Sequence, residues 1–190
     1  MELGADAIGV VLYAASSRAV RIDQLPDILR DIPPTTRVVA LFVDASRAEV
    51  EAAIDTGLID LLQFHGSETA EFCESFSIPY MKAFAVRPGL DLRELVASYR
   101  SAEFILLDSY DPNAPGGTGK AFDWALARSL AGELDGRLVL AGGLSPDNIK
   151  AAIEAVQPFG VDVSSGVEAS KGIKDLTKMK LFIEGARASG

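Results

Sequence analysis

Asp108 ends an apolar run, FILLD (104–108). The chain then enters a loop rich in proline and glycine, Asn113 to Lys120, before the triplet FDW at 122–124. A carboxylate at the end of a buried strand can simply cap the following turn. It can also act as a general acid. Phe104, Leu106 and Asp108 share a strand parity, and a carboxyl set over an apolar layer has its pKa pushed upward, which favours proton donation near neutral pH. The loop is either a connection or a lid, in which Gly116, Gly117, Thr118 and Gly119 permit close approach to a ligand. Its GGTGK is not a nucleotide P-loop, because the GxxxxGK[ST] spacing is absent.

The remaining polar groups with chemical potential also follow apolar runs. Gln63 and His65, the only histidine, close LIDLLQFHG (58–66). Arg18 follows ADAIGVVLY (5–13) and is either a surface cation or a carboxylate clamp. RLVLAGG (137–143) ends in Gly142 and Gly143, and GVDVSSG (160–166) ends in Ser164, Ser165 and Gly166. Two such ends at successive strands suit an anion gripped by backbone N–H groups. Cys73, in AEFCESF, sits beside aromatic residues and reads as packing. With one histidine and one cysteine there is no metal cluster.

The elements that position these residues are strands buried on both faces. Besides the runs above, RVVALFVD (37–44), PYMKAFAV (79–86) and EFILLDS (103–109) have this character. Helical patterns lie between them. Ser46 and Glu49 form a capping box for a helix that stops at Gly57. Ser145 and Pro146 read as N-cap and first residue of a second helix, with Ile149, Ala152, Ile153 and Val156 on one face. A third carries Met179, Phe182, Ile183 and Ala186. Shorter helices are expected at 24–31, 68–76, 91–100 and 123–131. Such alternation means βαβ units. An open doubly wound sheet and a (β/α)8 barrel both fit. Polar residues gathered at strand C-terminal ends favour the barrel, where those ends form the active face. Counting back from the two glycine- and serine-rich ends as strands seven and eight makes 5–13 the second strand. Seven strand–helix units are then visible.

The chain has 190 residues, enough for one domain. Its net charge of −9, without a Lys/Arg run, excludes nucleic-acid binding by a basic face. No apolar run is long enough for a membrane helix. The single cysteine fits a reducing compartment, so a soluble cytoplasmic protein is expected.

Five segments, LLDSYDPNAPGGTGKAFDW, LAGGLSPDNI, GVDVSSGVEASKGIKD, LLQFHG and GADAIGVVLYAASSR, resemble the phosphoribosylanthranilate isomerases of tryptophan biosynthesis. The resemblance covers essentially the whole chain in the family's order. It implies a (β/α)8 barrel without cofactor, a phosphorylated small-molecule substrate and a monomer or homodimer. The implied reaction is an Amadori rearrangement: an acid protonates the ribose ring oxygen, and a base removes the proton from C2. Asp108 matches the general acid and Arg18 the residue at the anthranilate end. Gln63 and His65 match the polar pair of the fourth strand. Gly142, Gly143, Asp162, Ser164 and Ser165 match the phosphate end.

One departure stands out. The family's base is a cysteine ending the first strand, and no such strand is visible here. Cys73 falls in a later helix and does not replace it. Either the start lies upstream of Met1 or the chain is a genuine fragment, and the otherwise intact site favours the first. The expectation is therefore a single domain over 1–190, N-terminally incomplete and nearly inactive as it stands. The rival readings are another phosphosugar-converting barrel enzyme and a truncated, non-catalytic barrel that binds phosphorylated ligands.

Overall fold

The computed structural model describes residues 3–86, 91–108 and 124–189. The chain divides into two compact units. One is Gly4–Ala83 with Tyr99–Glu103; the other is Phe84–Ser98 and Phe104–Gly190 with Met1–Leu3. The main sheet has seven strands in chain order, β1 to β7.

The first unit holds β1 (Ala7–Val11), α1 (Leu25–Ile28), β2 (Arg37–Phe42), α2 (Arg47–Ile54), β3 (Leu61–Phe64), α3 (Ala70–Glu74) and most of β4 (Tyr80–Ala85). Neighbouring strands pair in parallel, with Gly9 opposite Val39, Leu41 opposite Gln63, and Gln63 opposite Met81. All four residues of β3 are buried, as expected of a strand covered on both faces. Phe64 is its anchor: its ring lies 5.8–6.1 Å from those of Phe42, Phe72, Phe76 and Tyr80. The α2 capping box forms as expected. Ser46 Oγ accepts from the Glu49 N–H, while the Glu49 carboxylate accepts from the Ser46 N–H at 2.8 Å. The Ser46 hydroxyl, which donates to the Glu49 carboxylate at 2.7 Å, and then the Ser46 N–H hold the Glu49 carboxyl below its ordinary pKa. Gly57, at φ 67°, ends the segment in a conformation that favours glycine.

The second unit holds α4 (Leu92–Ala97), β5 (Phe104–Asp108), α5 (Trp124–Glu133), β6 (Leu138–Ala141), α6 (Ile149–Val156), β7 (Gly160–Val161), a 3-10 turn (Ser165–Val167), β8 (Glu168–Ser170), β9 (Ile173–Lys174) and α7 (Leu176–Arg187). Ile105, Leu106 and Leu107 are fully buried, so β5 is also covered on both faces. α7 packs on α6 through Gly185, where an added Cβ would lie 2.8 Å from Ile149 Cγ2.

Two local expectations are corrected, and one element is added. Ser145 is not the cap of α6; Asn148 occupies the N-cap position and the helix begins at Ile149. The Ser145 carbonyl takes the N–H groups of both Asn148 and Ile149, and the Asn148 side chain folds back onto the Ser145 N–H at 2.8 Å. Second, β7 is only two residues long. Gly142 and Gly143 adopt φ 78° and 62°, so β6 leaves the extended conformation and β7 loses its ladder partner. The added element is an antiparallel hairpin after the 3-10 turn, β8 with β9, turning at Gly172 (φ 84°). Among the described residues, no helix is long and apolar enough to cross a membrane.

Candidate functional site

In the second unit the ends of β5, β6 and β7 lie side by side. Asp108 pairs in register with Ala141, and the Asp162 N–H donates to Leu140 O at 2.9 Å. Asp108 is half-buried, and its backbone carbonyl accepts from the Val86 N–H at 2.9 Å. The strand ends thus bring Asp108, Gly142, Gly143 and Asp162 to one edge. The loop after β7 is pressed onto the loop after β6. A Cβ added to Gly166 would lie 1.8 Å from the Leu144 carbonyl oxygen and 3.2 Å from Ser145 Cα. Only glycine permits that approach. Ser164 and Ser165 are exposed beside it.

Three side chains that sequence reasoning missed hold these loops. Asn148 Nδ2 donates to Gly143 O at 2.9 Å while its Oδ1 takes the Ser145 N–H, so one amide fixes the turn after β6. Lys174 Nζ donates to Ser164 O at 2.8 Å and sits 3.4 Å from Glu168 Oε1. Lys178 Nζ donates to Glu168 O at 2.7 Å. A signal for Asn148 was present in SPDN, since asparagine commonly bonds nearby backbone in turns. The lysines are held in place by β9 and α7, elements whose contact with the loop has no local signature.

In the first unit, Arg18 is half-buried beside the end of β1. Its N–H donates to Ser16 Oγ at 3.1 Å, and Val11 bridges to Ala19. Gln63 is buried within β3. His65 follows β3, half-buried, with its N–H donating to Phe42 O at 2.9 Å. Beneath it lies a buried ion pair that sequence reasoning also missed, Lys82 of β4 with Glu68, at 2.9 Å. A lysine inside the apolar run PYMKAFAV was the available signal, because a cation on a covered strand must be paired.

Cys73 is fully buried in α3, as its packing role requires. Burial pushes its thiol up to about 12. Among the described residues, no group of three His, Cys, Asp or Glu side chains is arranged to hold a metal ion. The expected lid residues Gly116, Gly117, Thr118 and Gly119 lie outside the described residues.

The family model for N-(5'phosphoribosyl)anthranilate (PRA) isomerase matches residues 1–185. The chain is 52% identical over 185 residues to the N-(5'-phosphoribosyl)anthranilate isomerase of Pseudomonas aeruginosa (strain LESB58), covering 97% of this chain and 86% of that protein. Its structure is similar to that of phosphoribosyl anthranilate isomerase from Thermotoga maritima. The TM-score is 0.89 at 38% identity, over 98% of this chain and 90% of the other. A second similar structure is a phosphoribosyl anthranilate isomerase in complex with reduced 1-(o-carboxyphenylamino)-1-deoxyribulose 5-phosphate. Its TM-score is 0.85 at 35% identity, over 98% and 90% of the two chains.

Proposed function

The chain belongs to the N-(5′-phosphoribosyl)anthranilate isomerase family, and from that premise we propose how its strand ends carry the reaction. It is an aldose–ketose isomerase of tryptophan biosynthesis, with a fold of the (β/α)8 class. Asp108 is the general acid. It gives its proton to the ribose ring oxygen, the C1–O bond breaks, and the anthranilate nitrogen forms a C1=N bond. Loss of the C2 proton then yields an enamine, which tautomerises to the 2-ketone. One proton enters from Asp108 and one leaves C2 for a general base, while C1 is reduced as C2 is oxidised, so the balance needs no external oxidant or reductant.

The phosphate lies against Gly142, Gly143, Asp162, Ser164 and Ser165, where glycines and exposed backbone let N–H groups reach an anion. Arg18 holds the anthranilate carboxylate, since a guanidinium pairs with a carboxylate through two parallel bonds. Gln63 and His65, at the end of β3, match the family's polar pair and are assigned to substrate binding. Cys73 does not supply the base: it is buried in α3, and a thiol raised to about 12 offers almost no thiolate at neutral pH. Among the described residues, none matches the family's base. The protein acts in the cytoplasm, where a lone cysteine stays reduced.

The observation that carries this assignment of the site is the contact of Gly166 with the Leu144 carbonyl, which presses together the two loops assigned to phosphate. The test is calorimetric binding of the reduced aminodeoxyribulose phosphate found in the related complex, against its dephosphorylated form. Strong preference for the phosphorylated ligand is expected, and Gly143→Asp should abolish it. Equal affinity for both forms overturns the phosphate assignment.

A further inference from the structure

We infer that Lys82 and Glu68 are positioning residues for His65, an inference that rests on the proposed role of that imidazole at the substrate. The two side chains are 2% and 3% exposed. Lys82 Nζ donates to Glu68 Oε2 at 2.9 Å, to Gly66 O at 2.6 Å and to Phe64 O at 3.3 Å. Glu68 Oε2 also accepts the Gly66 N–H at 2.9 Å, and its Oε1 accepts the Asp44 N–H at 2.8 Å. The backbone on both sides of His65 is therefore held. Phe64 O and Gly66 O bind Lys82, Gly66 N–H binds Glu68, and the His65 N–H itself binds Phe42 O at 2.9 Å.

The pair also ties in the loop after β2. Asp44, at φ 50°, takes the Ser67 N–H on its Oδ1 at 2.6 Å. Gly66 lies so close that an added Cβ would be 2.7 Å from the Asp44 nitrogen. One charge pair, anchored within β4, thus fixes the ends of the two neighbouring strands β2 and β3.

Stability alone does not account for such a pair, since apolar residues of similar volume usually serve as well or better in a buried site. Apolar residues could not, however, bind two peptide N–H groups and two carbonyls at once. What the pair adds is a defined geometry for the segment that carries His65, where β3 makes its last bond to β2. Substrate-holding groups need that definition to within about half an ångström.

The chain's single histidine makes the test direct, because protein labelled in histidine gives one imidazole signal. In the unmodified protein that signal is expected to be single and sharp, and to shift when the reduced aminodeoxyribulose phosphate binds. The paired variant Lys82→Met with Glu68→Gln removes both charges together and leaves no lone buried ion. It should broaden or split the signal and weaken the ligand by about tenfold or more. His65→Ala should weaken the ligand similarly. Adding His65→Ala to the paired variant should weaken it no further, because groups acting through one another are not additive. A folded paired variant that keeps the original signal and affinity overturns the inference, as does full additivity with His65→Ala. If His65→Ala binds like the unmodified protein, the role of His65 falls and the inference with it. Should the paired variant not fold, Glu68→Asp, which keeps the charge pair but draws the carboxylate back by one methylene, is read by the same signal with the same two outcomes.

Discussion

Replacing Gly166 with alanine tests the contact between the two loops assigned to phosphate. The new Cβ would start 1.8 Å from the Leu144 carbonyl oxygen and 2.9 Å from its carbonyl carbon. These are backbone atoms, so no rotamer change relieves the clash. The loops must separate by roughly 1 Å before the contact becomes tolerable, and overpacking of this kind costs about 1–3 kcal/mol. Taking about 2 kcal/mol, the melting temperature should fall by roughly 4–8 °C for a chain of this size. The functional effect should be larger than the stability loss suggests, because an ångström of misplacement can cost about 100-fold. Calorimetry on the folded variant should show the reduced aminodeoxyribulose phosphate weakened on the order of 10- to 100-fold and its dephosphorylated form little changed. Unchanged affinity for the phosphorylated ligand, with an unchanged melting temperature, would refute the reasoning.

Asp108→Asn, placed in an enzyme of measurable turnover, should lower kcat by roughly 10²–10⁴ and leave affinity for the reduced product analogue nearly intact; rapid-mix kinetics with calorimetry checks both. Gly143→Asp adds a side chain at φ 62° and a negative charge beside the proposed anion, so phosphorylated ligands should weaken far more than dephosphorylated ones in the same titration. Cys73 should resist alkylation at pH 8 in the native protein and react at once in urea, because its thiol is fully buried and raised to about 12. The linkage has a definite sign. The folded thiol holds its proton above the ordinary value of 9.0, so its contribution to stability is complete below about pH 9 and lost as pH climbs towards 12. Urea midpoints of the parent and Cys73→Ala across that window should converge as pH rises.

The strands were legible because burial on both faces leaves a continuous apolar run, as in LLQF and FILL, whatever the partner strands are. Asp108, Gln63, His65 and the glycine pair at 142 and 143 stood out as candidates for the complementary reason: a polar or flexible residue within or at the end of such a run has few structural excuses. What escaped depended on partners distant in sequence. Nothing in Glu68 announces that its carboxylate meets an ammonium 14 residues away, and nothing in Lys174 announces the carbonyl of Ser164. The start of α6 escaped because Ser145 and Asn148 are both common cap residues, and nothing local shows that the Asn148 side chain binds Gly143 O and the Ser145 N–H.

The strand order, β1 through β7 without a permutation, bears on how the protein forms. Each ladder joins a strand to the next one in the chain, so each closes a loop of similar, modest length. Closure entropy grows only with the logarithm of loop length, so no single pairing is a dominant kinetic obstacle. Assembly can advance one unit at a time along the chain, as it leaves the ribosome or from any nucleated pair. The ion pair of Arg37 with Glu103, 66 residues apart, is the kind of contact that forms late. Its removal should hasten unfolding and leave the rate of folding nearly unchanged.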